Sequence, residues 1–217
     1  MKKGLIFDMD GTLWDSAENV AASWNLAVAS AGYHRNPLTR WDLERVMGKT
    51  MDELGAALFP DIEEEERSRL LLHCYEVEND YIRKHGGILY PNLVDTLHTL
   101  RKDYHLYIVS NCQAGYIEAF LDHYDLWDLF EDIECFGNNG LPKGQNIRLL
   151  TERNGLEKAA YIGDIQGDYD ATMEAGLPFI HAAYGFGSIR QPVEKASCVK
   201  DIVRAAAVVL GDERNLA

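Results

Sequence analysis

Four short apolar runs, at residues 4–7, 106–110, 159–163 and 177–182, constrain this chain more than any other feature. A brief continuous apolar run is the pattern of a strand buried on both faces. Helical stretches precede the last three: one begins near Pro91-Asn92, one surrounds residues 147–153, and one is ended by Gly176. Strands alternating with helices of this length build βαβ units with right-handed crossovers. The expected fold is therefore α/β, a parallel sheet flanked by helices.

Residues 15–87 break that rhythm. They contain no strand-like run, only helical periodicity: Val20, Trp24 and Val28 share one stripe, Leu43, Val46 and Met47 another, followed by Leu54 with Leu58 and by residues 70–81. Residues 61–67 supply an acidic first turn for the last of these helices, favourable at the positive end of its dipole. Lys84-His85-Gly86-Gly87 then reads as a hinge. The expected division is an α/β core from residues 1–14 and 88–217, with an all-helical segment, 15–87, inserted after the first strand. Trp14, Trp24 and Trp41 are expected to pack the hinge and the interior of the insert rather than line a pocket.

Charge narrows the function. The 217 residues carry 35 acids against 21 Lys and Arg, a formal charge of −14. An acidic surface repels nucleic-acid phosphates and anionic lipid, which argues against both as partners. No apolar run reaches the ~20 residues that span a bilayer, and the first residues lack a leader pattern. Cys74, Cys112, Cys135 and Cys198 show no zinc-site spacing and read as reduced, mostly buried thiols. A cytoplasmic protein, monomeric or weakly dimeric, is expected.

Open α/β sheets bind ligands beyond the carboxyl ends of their strands, and polar residues gather at those ends. Asp8 and Asp10 follow the first run, Ser110 and Asn111 end the second, and Gly163, Asp164 and Asp168 follow the third, with Lys143 just before the helix around residue 147. Crowded carboxylates repel unless a hard cation such as Mg²⁺ relieves them. A carboxylate can also attack phosphorus, splitting one displacement into two easier ones, while a lysine and free N–H groups hold the equatorial oxygens. A second acid two residues past the nucleophile can move the leaving group's proton.

Asp8-Met-Asp10-Gly11-Thr12-Leu13-Trp14-Asp15-Ser16 resembles the first signature of the haloacid dehalogenase-like superfamily, DxDGTLxD followed by Ser or Thr. Ser110-Asn111 resembles its second motif, Lys143 its third and Gly163-Asp164-Ile165-Gln166-Gly167-Asp168 its fourth, in the family's order along the whole chain. The inserted helices resemble its C1-type cap. The resemblance implies a Rossmann-like core and a small phosphorylated metabolite as substrate, with phosphoglycolate phosphatases among the similar enzymes. It implies Asp8 as nucleophile and metal ligand, and Asp10 as general acid/base that also offers its backbone carbonyl to Mg²⁺. Asp164 is implied as the remaining metal ligand. Thr12, Ser110, Asn111 and Lys143 are implied as phosphate contacts, with Asp168 orienting Lys143 or a metal-bound water. Two departures stand out: Ile165 occupies a position usually small and polar, and Lys143 is followed by Gly144-Gln145 rather than the Pro-x-Pro of relatives.

Asp10 favours phosphoryl transfer over dehalogenation, because no alkoxide leaves in the latter. Phosphomutase relatives carry a cap histidine where Val20 stands here, and phosphonate-hydrolysing relatives carry a cap lysine, for which Lys49 is the candidate. A phospho-acceptor regulatory module, similar to a response-regulator receiver, is the reading from another class, although a receiver has no insert after its first strand. The insert holds 14 acids against 8 Lys and Arg, so no broad positive face advertises an anionic substrate. Selection by the cap is expected to rest on Arg45 and Lys49, which flank Gly48.

Overall fold

A computed structural model describes residues 1–212 of the chain. β1 (Lys3–Phe7) leads into a two-residue strand, β2 (Trp14–Asp15), and then four helices: α1 (Ala17–Ser30), α2 (Arg40–Glu44), α3 (Met51–Leu58) and α4 (Glu64–His85). A second two-residue strand, β3 (Ile88–Leu89), brings the chain back, and α5 (Leu93–Leu100), β4 (His105–Ser110) and α6 (Tyr116–Tyr124) follow. Next come β5 (Asp132–Cys135), α7 (Phe136–Asn139) and α8 (Lys143–Arg153). β6 (Lys158–Gly163), α9 (Gln166–Ala175), β7 (Phe179–Ala182), β8 (Glu194–Ala196) and α10 (Asp201–Leu210) complete the described chain.

The six long strands form one sheet in the order β5-β4-β1-β6-β7-β8, every neighbouring pair parallel. All four apolar runs lie in it, and β1 sits near its middle, with Phe7 between Ile108 and Ile162. The two-residue period of a strand explains why these runs are apolar throughout. Leu5, Phe7, Leu106, Ile108, Ala160 and Ile162 face one hydrophobic core, while Ile6, Tyr107, Val109, Ala159 and Tyr161 face the other. No helix among the described residues is long and apolar enough to cross a membrane.

β5 and β8 lie outside the four runs. β5 is the edge strand Asp132-Ile133-Glu134-Cys135, whose acids are held by Arg153 of α8: its guanidinium reaches Asp132 at 2.6 and 2.8 Å and Glu134 at 2.6 Å. Charge on an edge blunts pairing with other chains, so the strand survives without an apolar signature.

The helical segment closes on itself. Val20, Trp24 and Val28 of α1 are buried in the same core as Leu70, Leu71, Cys74 and Ile82 of α4, and Trp24 stacks on Phe59 with centroids 5.9 Å apart. α4 begins with Glu64, Glu65 and Glu66 and ends with Arg83, Lys84 and His85, charges that complement its dipole at both ends. At the crossing, β2 and β3 pair antiparallel, Trp14 opposite Leu89 and Asp15 opposite Ile88. Trp14 is fully buried and meets Phe120 edge-on at 4.8 Å, tying this ribbon to α6 of the core. Trp41, by contrast, is 71% exposed and packs no interior. Replacing Trp14 with alanine is expected to cost about 3–5 kcal/mol through the cavity it leaves, measured as a lowered urea midpoint.

Candidate active site

The sheet brings the polar clusters to one edge. The Asp8 N–H donates to the carbonyl of Ile162 at 2.9 Å, carrying the β1–β6 ladder one residue beyond Phe7. Ser110 ends β4 and Asp164 follows β6 directly, so all three stand on neighbouring strand ends. Lys143 is the first residue of α8 rather than part of the loop before it, and its side chain is buried. Its ammonium donates to Asp8 Oδ1 at 2.8 Å and to Asp168 Oδ1 at 2.6 Å. Asp168 uses its other oxygen as a helix-start acceptor, taking the backbone N–H groups of Asp164 and Ile165 at 3.1 and 3.2 Å. One carboxylate thus caps α9 and fixes the lysine.

Carboxylate oxygens of Asp8, Asp164 and Asp168 all lie within 4.8 Å of one another, and all three residues are buried. Burial, followed by the neighbouring Asp168, lifts Asp8 to about 7 against the pull of Lys143. Asp164 is raised well above the carboxylate range for the same first reason, with Asp168 and Asp8 adding to it. Burial works against the Lys143 charge, but Asp168 and Asp8 hold its titration well above that of a free lysine. Three carboxylates therefore face one ammonium. The excess negative charge, the all-oxygen donor set and the spacing suit a hard divalent cation. Gly11 adopts φ +81°, and a Cβ there would lie 2.2 Å from Asp164 Oδ2, so only glycine lets the loop after β1 pass this carboxylate. The Phe186 N–H steadies the same oxygen at 2.7 Å.

Asp10 is set apart from that cluster. Its Oδ1 accepts from the Ser16 hydroxyl and from the Tyr116 hydroxyl, the latter at 2.8 Å, and burial raises its pKa despite both. It lines a cavity of about 40 Å³ between the strand ends and the helical segment, together with Ser110, Asn111, Gln113 and Tyr116 of the core. Val20, Trp24, Leu43, Met51, Leu54 and Glu78 close the cavity from the insert, joined by Met47, Gly48 and Lys49. The Asn111 amide donates to the Gly48 carbonyl at 2.9 Å, and its own buried oxygen has no partner. The Thr12 hydroxyl is likewise buried without a partner, while its carbonyl accepts from Tyr184 at 2.8 Å.

The two cations that flank Gly48 diverge. Lys49 is exposed at the cavity rim, whereas Arg45 is 75% exposed at its side chain, pairs with Asp42 at 2.8 Å and does not line the cavity. Ile165 has a packing reason for departing from a polar residue: a Cβ on Gly48 would fall 2.3 Å from its Cδ1. Gly48, at φ +80°, thus rests against the core through Ile165 and Asn111. Sequence reasoning missed three site residues, Ser16, Tyr116 and Glu78. Tyr116 carries no local signal, and Ser16 is visible only as the end of the first motif. Glu78 had one: it occupies the apolar stripe of α4 that runs through Leu71, Cys74 and Ile82, where an acid is out of place.

The profile of the haloacid dehalogenase-like hydrolases matches residues 5–182. A phosphoglycolate phosphatase of Salmonella typhimurium is 28% identical over 218 residues, covering 85% of this chain and 82% of its own. That of Escherichia coli K12 is 28% identical over 213 residues with the same coverage. The crystal structure of a predicted phosphoglycolate phosphatase from Haemophilus somnus superimposes with a TM-score of 0.78 over 94% of this chain and 98% of that one, at 21% identity. A predicted phosphatase from Clostridium acetobutylicum gives 0.75 over 93% and 96%, at 21% identity. These two structures establish likeness of fold.

Glu78 gives the site a pH signature in stability. Burial lifts it from 4.5 to about 8, although the Trp24 indole holds it down. Between those values the folded state keeps a proton that the unfolded state has lost, so stability falls as pH rises from about 4.5 to about 8. Glu78→Gln cannot ionise and is expected to lose less stability across that window, by up to about 5 kcal/mol at ~1.4 kcal/mol per pH unit. Urea midpoints of both proteins at pH 5, 6.5 and 8 measure this, and parallel curves contradict it.

Proposed function

The chain belongs to the haloacid dehalogenase-like hydrolases, and on that premise we propose that it is a Mg²⁺-dependent phosphatase of small phosphomonoesters. One observation carries the reading: Asp8, at the end of a central strand, is buried against the Lys143 ammonium with Asp164 and Asp168 in reach. The curated relatives named phosphoglycolate phosphatases support it.

In the proposed reaction an Asp8 carboxylate oxygen attacks phosphorus as the bond to the ester oxygen breaks, forming an aspartyl phosphate. Asp10 stands on the cavity wall, where burial favours its protonated form, and it gives its proton to the departing alkoxide. Ionised by that transfer, Asp10 accepts a proton from water as the water attacks phosphorus, releasing phosphate and restoring Asp8. Ser16 and Tyr116 hold Asp10 in place. Lys143 neutralises the attacking carboxylate and then an oxygen of the transferred group, and Asp168 positions it. Thr12, Ser110 and Asn111 contribute hydroxyl, amide and backbone groups to the phosphoryl oxygens. Asp8, Asp164 and the Asp10 carbonyl would hold Mg²⁺, which screens the charge between nucleophile and phosphoryl group. The helical insert acts as a cap that excludes bulk water from the reacting atoms.

Phosphate release from p-nitrophenyl phosphate and a panel of small phosphomonoesters, with Mg²⁺ and with a chelator, tests the proposal. Turnover is expected to need Mg²⁺ and to fall by about 10³-fold or more in Asp8→Asn, in line with removing a covalent nucleophile. Stoichiometric phosphorylation without turnover would instead assign a phospho-acceptor module.

A further inference from the structure

Glu78 is a carboxyl that the reaction proposed above does not use. It projects from the middle of α4, is 4% exposed, and lines the cavity that Asp10 also lines. Its Oε2 accepts a 2.6 Å hydrogen bond from the Trp24 indole, so a side chain of α1 fixes the position of a carboxyl carried by α4. The other insert residues that close the cavity, such as Val20, Leu43, Met51 and Leu54, are apolar. Among the described residues lining it, Lys49 is the only Lys or Arg, and it stands at the exposed rim.

We propose that Glu78 reads the leaving alcohol, and that the preferred substrates are small phosphomonoesters whose alcohol bears an uncharged hydroxyl rather than a carboxylate. This rests on the phosphatase reading and specifies its substrate class. The cavity lies on the leaving-group side, because Asp10, which protonates the departing oxygen, is on its wall. A hydroxyl both donates and accepts, and Glu78 offers it a partner on the insert side of the cavity, where the buried side chains are otherwise apolar. A substrate carboxylate has no buried cation to meet there. The burial that favours the protonated form of Glu78 also penalises a substrate carboxylate brought into the same cavity. At about 40 Å³, room for roughly three water molecules at ~10–15 Å³ each, the cavity suits a small leaving group.

2-Hydroxyethyl phosphate and phosphoglycolate form a matched pair, differing only in CH₂OH against COO⁻. With the wild-type protein and Mg²⁺ at pH 7, kcat/KM is expected to favour 2-hydroxyethyl phosphate by about tenfold or more, the margin of one buried hydrogen-bonding group. Glu78→Leu is expected to erase most of that preference, and Glu78→Gln, which still offers a donor and an acceptor, to keep it within about threefold. The wild-type ratio requires no variant to fold. Equal or better turnover of phosphoglycolate by the wild type overturns the inference and leaves the phosphatase reading standing. So does a Glu78→Leu protein that loses both esters in equal proportion. Failure to hydrolyse any ester, p-nitrophenyl phosphate included, removes both.

Discussion

The Lys143 ammonium between Asp8 and Asp168 is the interaction on which the rest of this site depends. It joins three elements far apart in sequence: the end of β1, the first turn of α8 and the first turn of α9. Removing one partner of such a buried set leaves an uncompensated charge at a cost of about 3–5 kcal/mol, so the arrangement is held by mutual need. Asp168 binds the lysine with one oxygen and two backbone N–H groups with the other. The direction of α9 and the position of the ammonium are therefore one geometric fact.

Two carboxyls outside that cluster are distinguished by their surroundings. Asp10 is steadied by hydroxyls from Ser16 and Tyr116, and Glu78 by an indole. Both are pushed up by burial. Neither has a cation in contact, which separates them from Asp8. Identical chemical groups thus acquire different characters from what packs around them, as in other sites where acid and base roles are set by environment.

Much of this was legible in the sequence, for physical reasons that can be named. A parallel strand buried on both faces must be apolar at every position, so residues 4–7 and 159–163 announce themselves. The polar clusters are legible because strand ends share an edge. β5 escapes because Asp132 and Glu134 are neutralised by Arg153, which lies far along the chain. Arg45, expected beside the substrate, turns instead to Asp42 three residues away, a local pairing that composition does not reveal. Ile165 looks anomalous in the fourth motif until Gly48 is seen against it. Glu78 is intelligible only once Trp24, on another helix, is placed opposite.

The smallest sheet has the widest consequence. β2 and β3 are two residues each, yet they place Trp14 opposite Leu89 and Asp15 opposite Ile88, so the chain leaves and re-enters the core at adjacent points about 5 Å apart. To the six-stranded sheet, residues 16–87 are topologically a hairpin turn. Loop-closure entropy grows only with the logarithm of length, and the register of β1 against β4 and β6 does not depend on what the ribbon encloses. The selectivity proposed for the insert would then sit in a segment whose length the six-stranded sheet does not register, so that it can be lengthened, shortened or exchanged at the ribbon while the strand ends stay where they are.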